Sequence, residues 1–405
     1  MNCALCNGPT SLVIRLEPTP PANELLLSAD KQADQDLFDL NLTVCDDCNH
    51  LQLDTEVQKE RLFSHYVYVS DTGPDNREHF KEYAEEMESK FKPNFVVDVG
   101  SNDGLFLSYF KCKVLGVDPA ANIDKKVTTL VEFFNQDNAT AIARMAGKAD
   151  LITCNNMFAH NRDLSDVCNG IKTLLSQDGT FVFEVSYAIP LLKNNLFDLI
   201  YHEHYHHWHV SPMVSFFQKF GLQVVHAETV KTHGGSIRVF VKHQGAQSNL
   251  LQFILAEEKK VLPGLIERFK KNVAANRTAT QDLLKCLNYS ILGYPAKACT
   301  LSYFYGLKPV DVFDDNELKI GKYTHSGHKI KSSKEIYDSP PDYLLILSWN
   351  YAEALMEKHK NFKGKFIVPF PEPRIVDRNP ASHFIGLPNT AAIQAEYEKC
   401  RKESP

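Results

Sequence analysis

The run YHEHYHHWHV, Tyr201 to Val210, places five histidines and one glutamate within ten residues. A histidine with a pKa of about 6.5 takes up and returns protons at working pH, and a neighbouring carboxylate can orient it. Metal binding is the competing chemistry. His-Glu-His is not the H-E-x-x-H pattern that sets two ligands on one helical face. In an extended segment, His202 and His204 share a face at i and i+2, with Tyr201 and Glu203 on the other. Such a pair falls short of the three protein ligands that a catalytic metal needs. The other notable histidines, His160 and His233, form no second cluster. Acid/base work is the expectation for Tyr201, Glu203 and His204, with Glu203 orienting His204. Tyrosine, with a pKa of about 10, serves better as a hydrogen-bond donor than as a base. His206, His207 and His209 are expected to be structural, partly buried or at the surface.

Cysteines carry the metal signal. Cys3-x-x-Cys6 and Cys45-x-x-Cys48 are two knuckles, each aiming two thiolates at one point, with 38 residues between the pairs. Together they complete a closed four-sulfur site, which suits structural Zn²⁺ and leaves no position for catalysis. A redox CxxC would sit beside a βαβ pattern, which is absent here.

Elements able to position the histidine run follow from the pattern around it. FVVDVGSNDGLFLSYF, Phe95 to Phe110, reads as strand, glycine turn and helix, with the helix resuming at Leu105. The spacing Asp98-x-Gly100-x-x-x-Gly104 departs from the G-x-G-x-x-G of dinucleotide sites. An acidic residue before the first glycine suits a cationic ligand bearing an amino acid, such as S-adenosylmethionine. Asp118 ends a second strand, where a ribose diol is held, and a third ends at Asn155 and Asn156. Gly100, Asn102, Asp103, Gly104, Asp118 and Asn155 are the expected frame of the methyl donor, in the strand order of a class I methyltransferase.

Beyond residue 255 the pattern is a long helix broken at Pro263-Gly264. Strand-helix repeats follow and make a smaller Rossmann-like sheet. Lys297, Lys319 and Lys322 lie on its loops and are candidate phosphate contacts.

Composition limits the partners. The chain has 405 residues and a net charge of −6, which argues against a general nucleic-acid binder. Residues 1–60 hold 3 Lys/Arg against 11 Asp/Glu, whereas residues 259–334 hold 14 against 6. A local anionic ligand fits that asymmetry better than a long polymer. No apolar run is long enough for a membrane span, and no secretory pattern opens the chain, so a reducing cytoplasm is expected.

Taken together, the two CxxC knuckles, YVYVSDTGPDNREHF, VVDVGSNDG, YHEH, HGGSIR, GYPAK and FIVPFPEP resemble the nucleotide-sugar C-methyltransferase family of unusual deoxysugar biosynthesis. Within it they are similar to the 3-C-methyltransferases of the D-tetronitrose pathway. The resemblance spans essentially the whole chain. It implies an α/β protein of three domains: a small zinc-binding domain (1–68), a class I methyltransferase Rossmann-like domain (69–250), and a smaller C-terminal Rossmann-like domain (251–405) that helps bind the nucleotide sugar. It implies S-adenosylmethionine and structural zinc as cofactors. The implied substrate is a dTDP- or GDP-linked 4-keto-6-deoxy sugar, methylated at C3 through an enolate. Tyr201, Glu203, His204 and His160 match catalytic positions, joined by Tyr66 or Tyr68. His79 is expected near the donor, and His233, Ser236 and Arg238 near the substrate. Two segments depart from the family pattern: AKACT carries Ala298 where a glycine is usual, and DNELKIGKYTHSGHKI lacks a proline. The oligomeric state stays open, a monomer being compatible with these motifs. The rival readings are an O- or N-methyltransferase of the same fold, a zinc-containing RNA-binding protein and a metal-dependent hydrolase. Absent C3 exchange would mark the first, retention on nucleic acid the second, and a metal lost with His202 and His204 the third.

Overall fold

A computed structural model describes residues 2–72 and 74–376, apart from the side chains at 72, 74–76 and 233. Both cysteine knuckles close in the same way. Asn7 N–H donates to the Cys3 carbonyl at 2.9 Å, and Asn49 N–H to the Cys45 carbonyl at 3.0 Å. The two asparagines take left-handed φ values of 63° and 61°, a conformation that asparagine tolerates better than most side chains.

Between and after the knuckles, β1 (Thr10–Thr19), β2 (Phe38–Cys45) and β3 (Leu51–Leu53) pair antiparallel. A fourth strand, β9 (His206–His207), comes from far down the chain and pairs antiparallel with β3, Gln52 opposite His206 and Leu51 opposite His207. The histidine run is thereby built into the sheet of the cysteine module.

The central sheet holds β4 (Phe95–Val99), β5 (Lys113–Val117), β6 (Thr129–Leu130), β7 (Ala149–Asn155), β8 (Leu175–Ser186), β10 (Gln223–Val230) and β11 (Ser236–Lys242), in the order β10-β11-β8-β7-β4-β5-β6. Six of these strands run in one direction, and β11 alone lies antiparallel, between β8 and β10. This is the class I methyltransferase order expected from the motif sequence. β4 buries all five of its residues, as a strand covered on both faces must. The strand order reverses between β4 and β7, and the crevice at their carboxyl ends is where such sheets bind ligands. The helix expected from Leu105 is only a three-residue turn, Leu107–Tyr109. Phe106, Leu107 and Phe110 pack in one cluster with Val96 of β4, Leu151 of β7 and Val182 of β8 without continuing the helix.

The third sheet is β12 (Tyr289–Leu292), β13 (Val312–Asp314), β14 (Ile330–Ser332), β15 (Tyr343–Ile346), β16 (Lys365–Val368) and β17 (Arg374–Val376), ordered β14-β13-β12-β15-β16-β17. It is parallel except for β17. Helix Asn249–Leu284 joins the two sheets and runs unbroken through Pro263. The expected break is absent because Leu262, Leu265, Ile266 and Phe269 are all buried on that helix, and their burial outweighs the one backbone bond that proline removes.

Packing does not respect the sequence divisions. One core combines Leu16, Leu42 and Leu51 with Leu192, Phe197 and Tyr205 and with Ile291, Leu301 and Phe370. Another places Cys3, Leu5 and Cys45 against the central sheet. The segment Tyr201–Tyr205 lies where these parts meet. No helix among the described residues is long and apolar enough to cross a membrane.

Candidate active site

The four cysteine sulfurs lie within 4.8 Å of one another, with Cys3 and Cys48 3.7 Å apart and Cys6 and Cys45 3.4 Å apart. A zinc tetrahedron with bonds of about 2.3 Å has edges of about 3.8 Å, so the arrangement fits. Backbone N–H groups of Leu5 and Cys48 point at the sulfurs of Cys3 and Cys45 from 3.4 and 3.5 Å. The contact between Cys3 and Cys48 lowers the Cys3 thiol and raises that of Cys48, so the two sulfurs share a proton that a bound metal would displace. All four positions are filled by protein, so the site is structural.

At the crevice between β4 and β7 the chain turns left-handed three times, at Gly100 (φ 79°), Asn102 (φ 52°) and Gly104 (φ 80°). A Cβ on Gly100 would stand 2.7 Å from the Met157 Cβ. Asp98 lies beneath the loop, where the Thr153 hydroxyl donates to it at 2.6 Å. Burial, reinforced by the Asp118 charge, pushes its carboxyl up to about 7. Asp118 accepts the Asn102 N–H at 2.9 Å, the Ala120 N–H at 3.0 Å and the Lys125 ammonium at 2.9 Å. Both amide atoms of Asn155, the Ser101 hydroxyl and one Asp103 oxygen are buried without a protein partner. Unpaired buried polar groups cost roughly 1–3 kcal/mol each. A ligand with hydroxyl and amino-acid groups relieves that cost, so S-adenosylmethionine fits these residues. The Asn102 side chain faces the other way, accepting the Ser70 N–H at 2.9 Å and donating to the Tyr68 carbonyl at 3.0 Å. The donor loop is thereby tied to the tyrosine segment.

The histidine run is a turn at its start, with His204 N–H donating to the Tyr201 carbonyl at 2.8 Å. His202 and His204 therefore do not share a face, contrary to the extended reading. His202 Nε2 donates to the Asp39 carbonyl at 3.2 Å. His204 Nδ1 lies 3.1 Å from the Leu199 carbonyl, and its Nε2 lies 3.1 Å from the Tyr201 hydroxyl. A carbonyl can only accept, so Nδ1 donates to it, and in the neutral ring Nε2 then accepts from the Tyr201 hydroxyl. His160 is stacked between Phe63 (centroids 4.7 Å) and His204 (centroids 5.7 Å). Burial, with His204 adding to it, holds His160 well below the usual histidine range.

Glu203 does not orient His204. Its carboxylate accepts from the Tyr66 hydroxyl at 2.8 Å and from the Asn23 amide at 2.6 Å. Burial pushes it up to about 7 against those two donors and the Lys319 charge. Tyr66 is thus the tyrosine bonded into the centre, while Tyr68 is 39% exposed, its ring 6.3 Å from that of Tyr66.

From the third sheet, Lys319 donates to the Tyr294 carbonyl at 2.9 Å, with half-buried Lys322 nearby. Lys297 is engaged elsewhere. It lies 3.3 Å from Asp198, 2.8 Å from the Asn350 side chain and 4.3 Å above the Trp349 ring. A cleft of about 190 Å³ opens beside Gly293, Asp314 and Ser348 at the carboxyl ends of β12, β13 and β15. Arg238, expected near the substrate, is bonded to three carboxylates. It is buried on β11 and saturated by Glu184, Glu228 and Glu86, 3.7 Å from the Tyr83 ring centroid. His79 joins that network through Glu184 at 3.1 Å. Ser236 is spent on the Thr232 carbonyl at 3.1 Å, and the His233 side chain lies outside the described residues.

Three family profiles match in succession: a zinc binding domain over residues 3–63, a methyltransferase domain over 74–227, and a C-methyltransferase C-terminal domain over 231–371. The C-methyltransferase NovU of Streptomyces niveus is 33% identical over 404 residues, which cover 92% of this chain and 96% of that one. The chain belongs to this C-methyltransferase family. Among solved structures, an S-adenosylmethionine-dependent methyltransferase from Clostridium acetobutylicum aligns over 44% of this chain and 94% of its own, at 14% identity and a TM-score of 0.33. A protein from Pyrococcus horikoshii aligns over 47% and 100%, at 14% identity and a TM-score of 0.35.

This C-methyltransferase draws its methyl group from S-adenosylmethionine and builds its N-terminal module on structural zinc. Several of its site residues had no signal in the sequence. Asn23, Phe63 and Lys125 sit in no motif, and Leu199 contributes only a carbonyl.

His206, His207 and His209, the rest of the run, are buried rather than partly buried or at the surface. His206 Nε2 donates to the Asn161 carbonyl at 2.8 Å, so its Nδ1 accepts from His50 Nε2 at 2.8 Å. His209 spans Glu258 (3.1 Å) and the Asn49 carbonyl (3.0 Å), next to the second knuckle. Burial lowers His206 to about 4 and His207 to about 3. In the unfolded chain both titrate at about 6.5, so below that pH the unfolded state binds more protons and stability falls. At pH 5 the two are expected to cost about 2 kcal/mol each, the loss growing until pH drops below their folded values. Thermal unfolding compared at pH 7 and pH 5 checks this.

Proposed function

We propose that this C-methyltransferase adds a methyl group to C3 of a dTDP- or GDP-linked 4-keto-6-deoxy sugar, through an enolate, in the making of an unusual deoxysugar. The observation that carries this reading is His204, whose Nδ1 faces the Leu199 carbonyl and whose Nε2 faces the Tyr201 hydroxyl at the junction of all three parts of the chain. A ketone at C4 acidifies the C3–H bond. His204 Nε2 takes that proton, and the electron pair of the C–H bond delocalises onto the C4 oxygen. The Tyr201 hydroxyl, displaced from Nε2 as the proton arrives, or His160 beside it, donates to that oxygen where charge develops. S-adenosylmethionine, when bound, supplies the electrophilic methyl group that C3 attacks. The protein holds the two carbons in line at near-attack distance. Glu203 and Tyr66 flank the sugar, and Lys319 and Lys322 are the cations left to meet the diphosphate, since Lys297 is bound to Asp198. The division of labour goes with this: residues 1–68 for the metal module, 69–250 for the donor, 251–405 for the nucleotide sugar.

A panel of dTDP- and GDP-linked sugars, read by mass gain of one methyl group, tests the substrate class. The 4-keto-6-deoxy sugars are expected to gain the methyl and their 4-hydroxy counterparts to gain none. Equal methylation of a 4-hydroxy sugar would remove the need for a carbon acid and sink the proposal.

A further inference from the structure

Asn23 stands on the connection between β1 and β2, and that connection is clamped onto the third sheet's lysine-bearing loop. His325 Nε2 donates to the Pro21 carbonyl at 3.1 Å. Leu26 and Tyr323 exchange backbone hydrogen bonds of 3.0 and 2.8 Å. The Gln35 amide donates to the His325 carbonyl at 2.9 Å. From this clamp Asn23 Nδ2 reaches Glu203 Oε1 at 2.6 Å, while the Tyr66 hydroxyl takes the other oxygen. An ionised carboxylate only accepts, so the asparagine must present its NH₂ group. Glu203 is 2% exposed, and no bulk water stands ready to replace a lost donor.

We propose that Asn23 is a positioning residue for methyl transfer, its amide holding the Glu203 carboxylate ionised and fixed in place so that the loop of the zinc module completes the reaction centre.

This inference rests on the reading of Glu203 as a catalytic residue. The titratable groups that face Glu203 are Tyr66, Tyr201, Cys299 and Lys319. Lys319 is the cation among them, and it comes from the third sheet. Two neutral donors and one ammonium thus oppose the cost of burying the charge. Burial has already carried the Glu203 carboxyl up to about 7. Losing a donor should carry it further up, so that less of the carboxylate is ionised at any given pH. A loop that only packed would affect stability and leave this ionisation alone.

The test is the pH profile of kcat/KM in the full-length, zinc-loaded enzyme. Asn23→Asp sets a second carboxylate against Glu203, and two carboxylates in one site share a proton. Its acid limb is expected to move up by about one pH unit or more, with affinity for S-adenosylmethionine unchanged. Asn23→Ala is expected to move the limb the same way by less and to lower kcat about tenfold, the loss of one hydrogen bond to a charged group. Asn23→Ser, which keeps a short donor, is expected to restore part of both. Profiles that superimpose on wild type, whatever the change in melting temperature, overturn the proposal. If Asn23→Ala does not fold, the Asp and Ser variants decide alone, since both keep a polar side chain at the site. Glu203→Gln separates the two layers. Near-wild-type turnover there would remove the catalytic reading of Glu203 and this proposal with it. An inactive Glu203→Gln beside an unmoved Asn23→Asp profile would remove this proposal only.

Discussion

His204→Asn is expected to lower kcat by about 10²–10⁴-fold, the usual contribution of a positioned general base. That corresponds to about 3–5 kcal/mol of transition-state stabilisation. Asparagine retains polarity and fits within the space of the imidazole, so the turn closed by His204 N–H and the Tyr201 carbonyl should persist. What it removes is a lone pair able to become a stable cation. The donor pocket we propose, around Gly100, Asp103, Asp118 and Asn155, has no bond to His204. Affinity for S-adenosylmethionine should therefore stay close to wild type. The sugar's KM should also change little, because Tyr66, Glu203 and Asn23 keep their own network. A large kcat loss with both affinities preserved identifies an interaction that operates only in the transition state. Near-wild-type turnover, or a loss shared by donor binding, would move the base elsewhere.

The second large effect comes from a metal that touches no substrate. Cys45→Ser is expected to abolish zinc binding, unfold the N-terminal module and reduce turnover to background. Binding of structural zinc contributes about 10–16 kcal/mol of folding energy in small modules, as much as the stability of a whole domain. Here the module does not fail alone. β3 pairs with β9, so the strand that follows the Tyr201–His204 turn loses its neighbour. His209 loses the Asn49 carbonyl, and Glu203 loses Asn23. Atomic absorption should read one zinc per wild-type chain, none in Cys45→Ser, and one still in the His202→Asn/His204→Asn double variant. Turnover that survives complete zinc removal would contradict this coupling.

Local chemistry was legible in the sequence, and long-range pairing was not. The left-handed turns at Gly100 and Gly104 are written into a ten-residue stretch, and the four-sulfur site into two CxxC knuckles. Each is specified by residues next to one another. The alternation of strand and helix that makes both larger sheets is equally local. By contrast, β9 is a two-residue strand whose only reason to exist is the edge of β3, more than 150 residues earlier. Nothing in the run itself could show that His206 and His207 were core residues, so they were expected nearer the surface. Glu203 follows the same logic. Its sequence neighbour His204 looked like its partner, yet the turn sends the two side chains apart, and Glu203 bonds to a residue 180 positions away. Arg238 was expected near the substrate, and nothing in HGGSIR shows the three carboxylates that meet it from β8, β10 and helix Pro74–Phe91. Pro263 failed as a breaker because the helix around it is buried on one face.

The central claim is that this C-methyltransferase makes a carbanion at C3 with His204 as the base. Incubating enzyme and 4-keto-6-deoxy nucleotide sugar in D₂O without S-adenosylmethionine, and following the C3 proton by NMR, tests that step apart from methyl transfer. The expected result is enzyme-dependent loss of the C3 proton signal in wild type and retention of that signal in His204→Asn. Exchange that persists at the wild-type rate in His204→Asn would contradict the account.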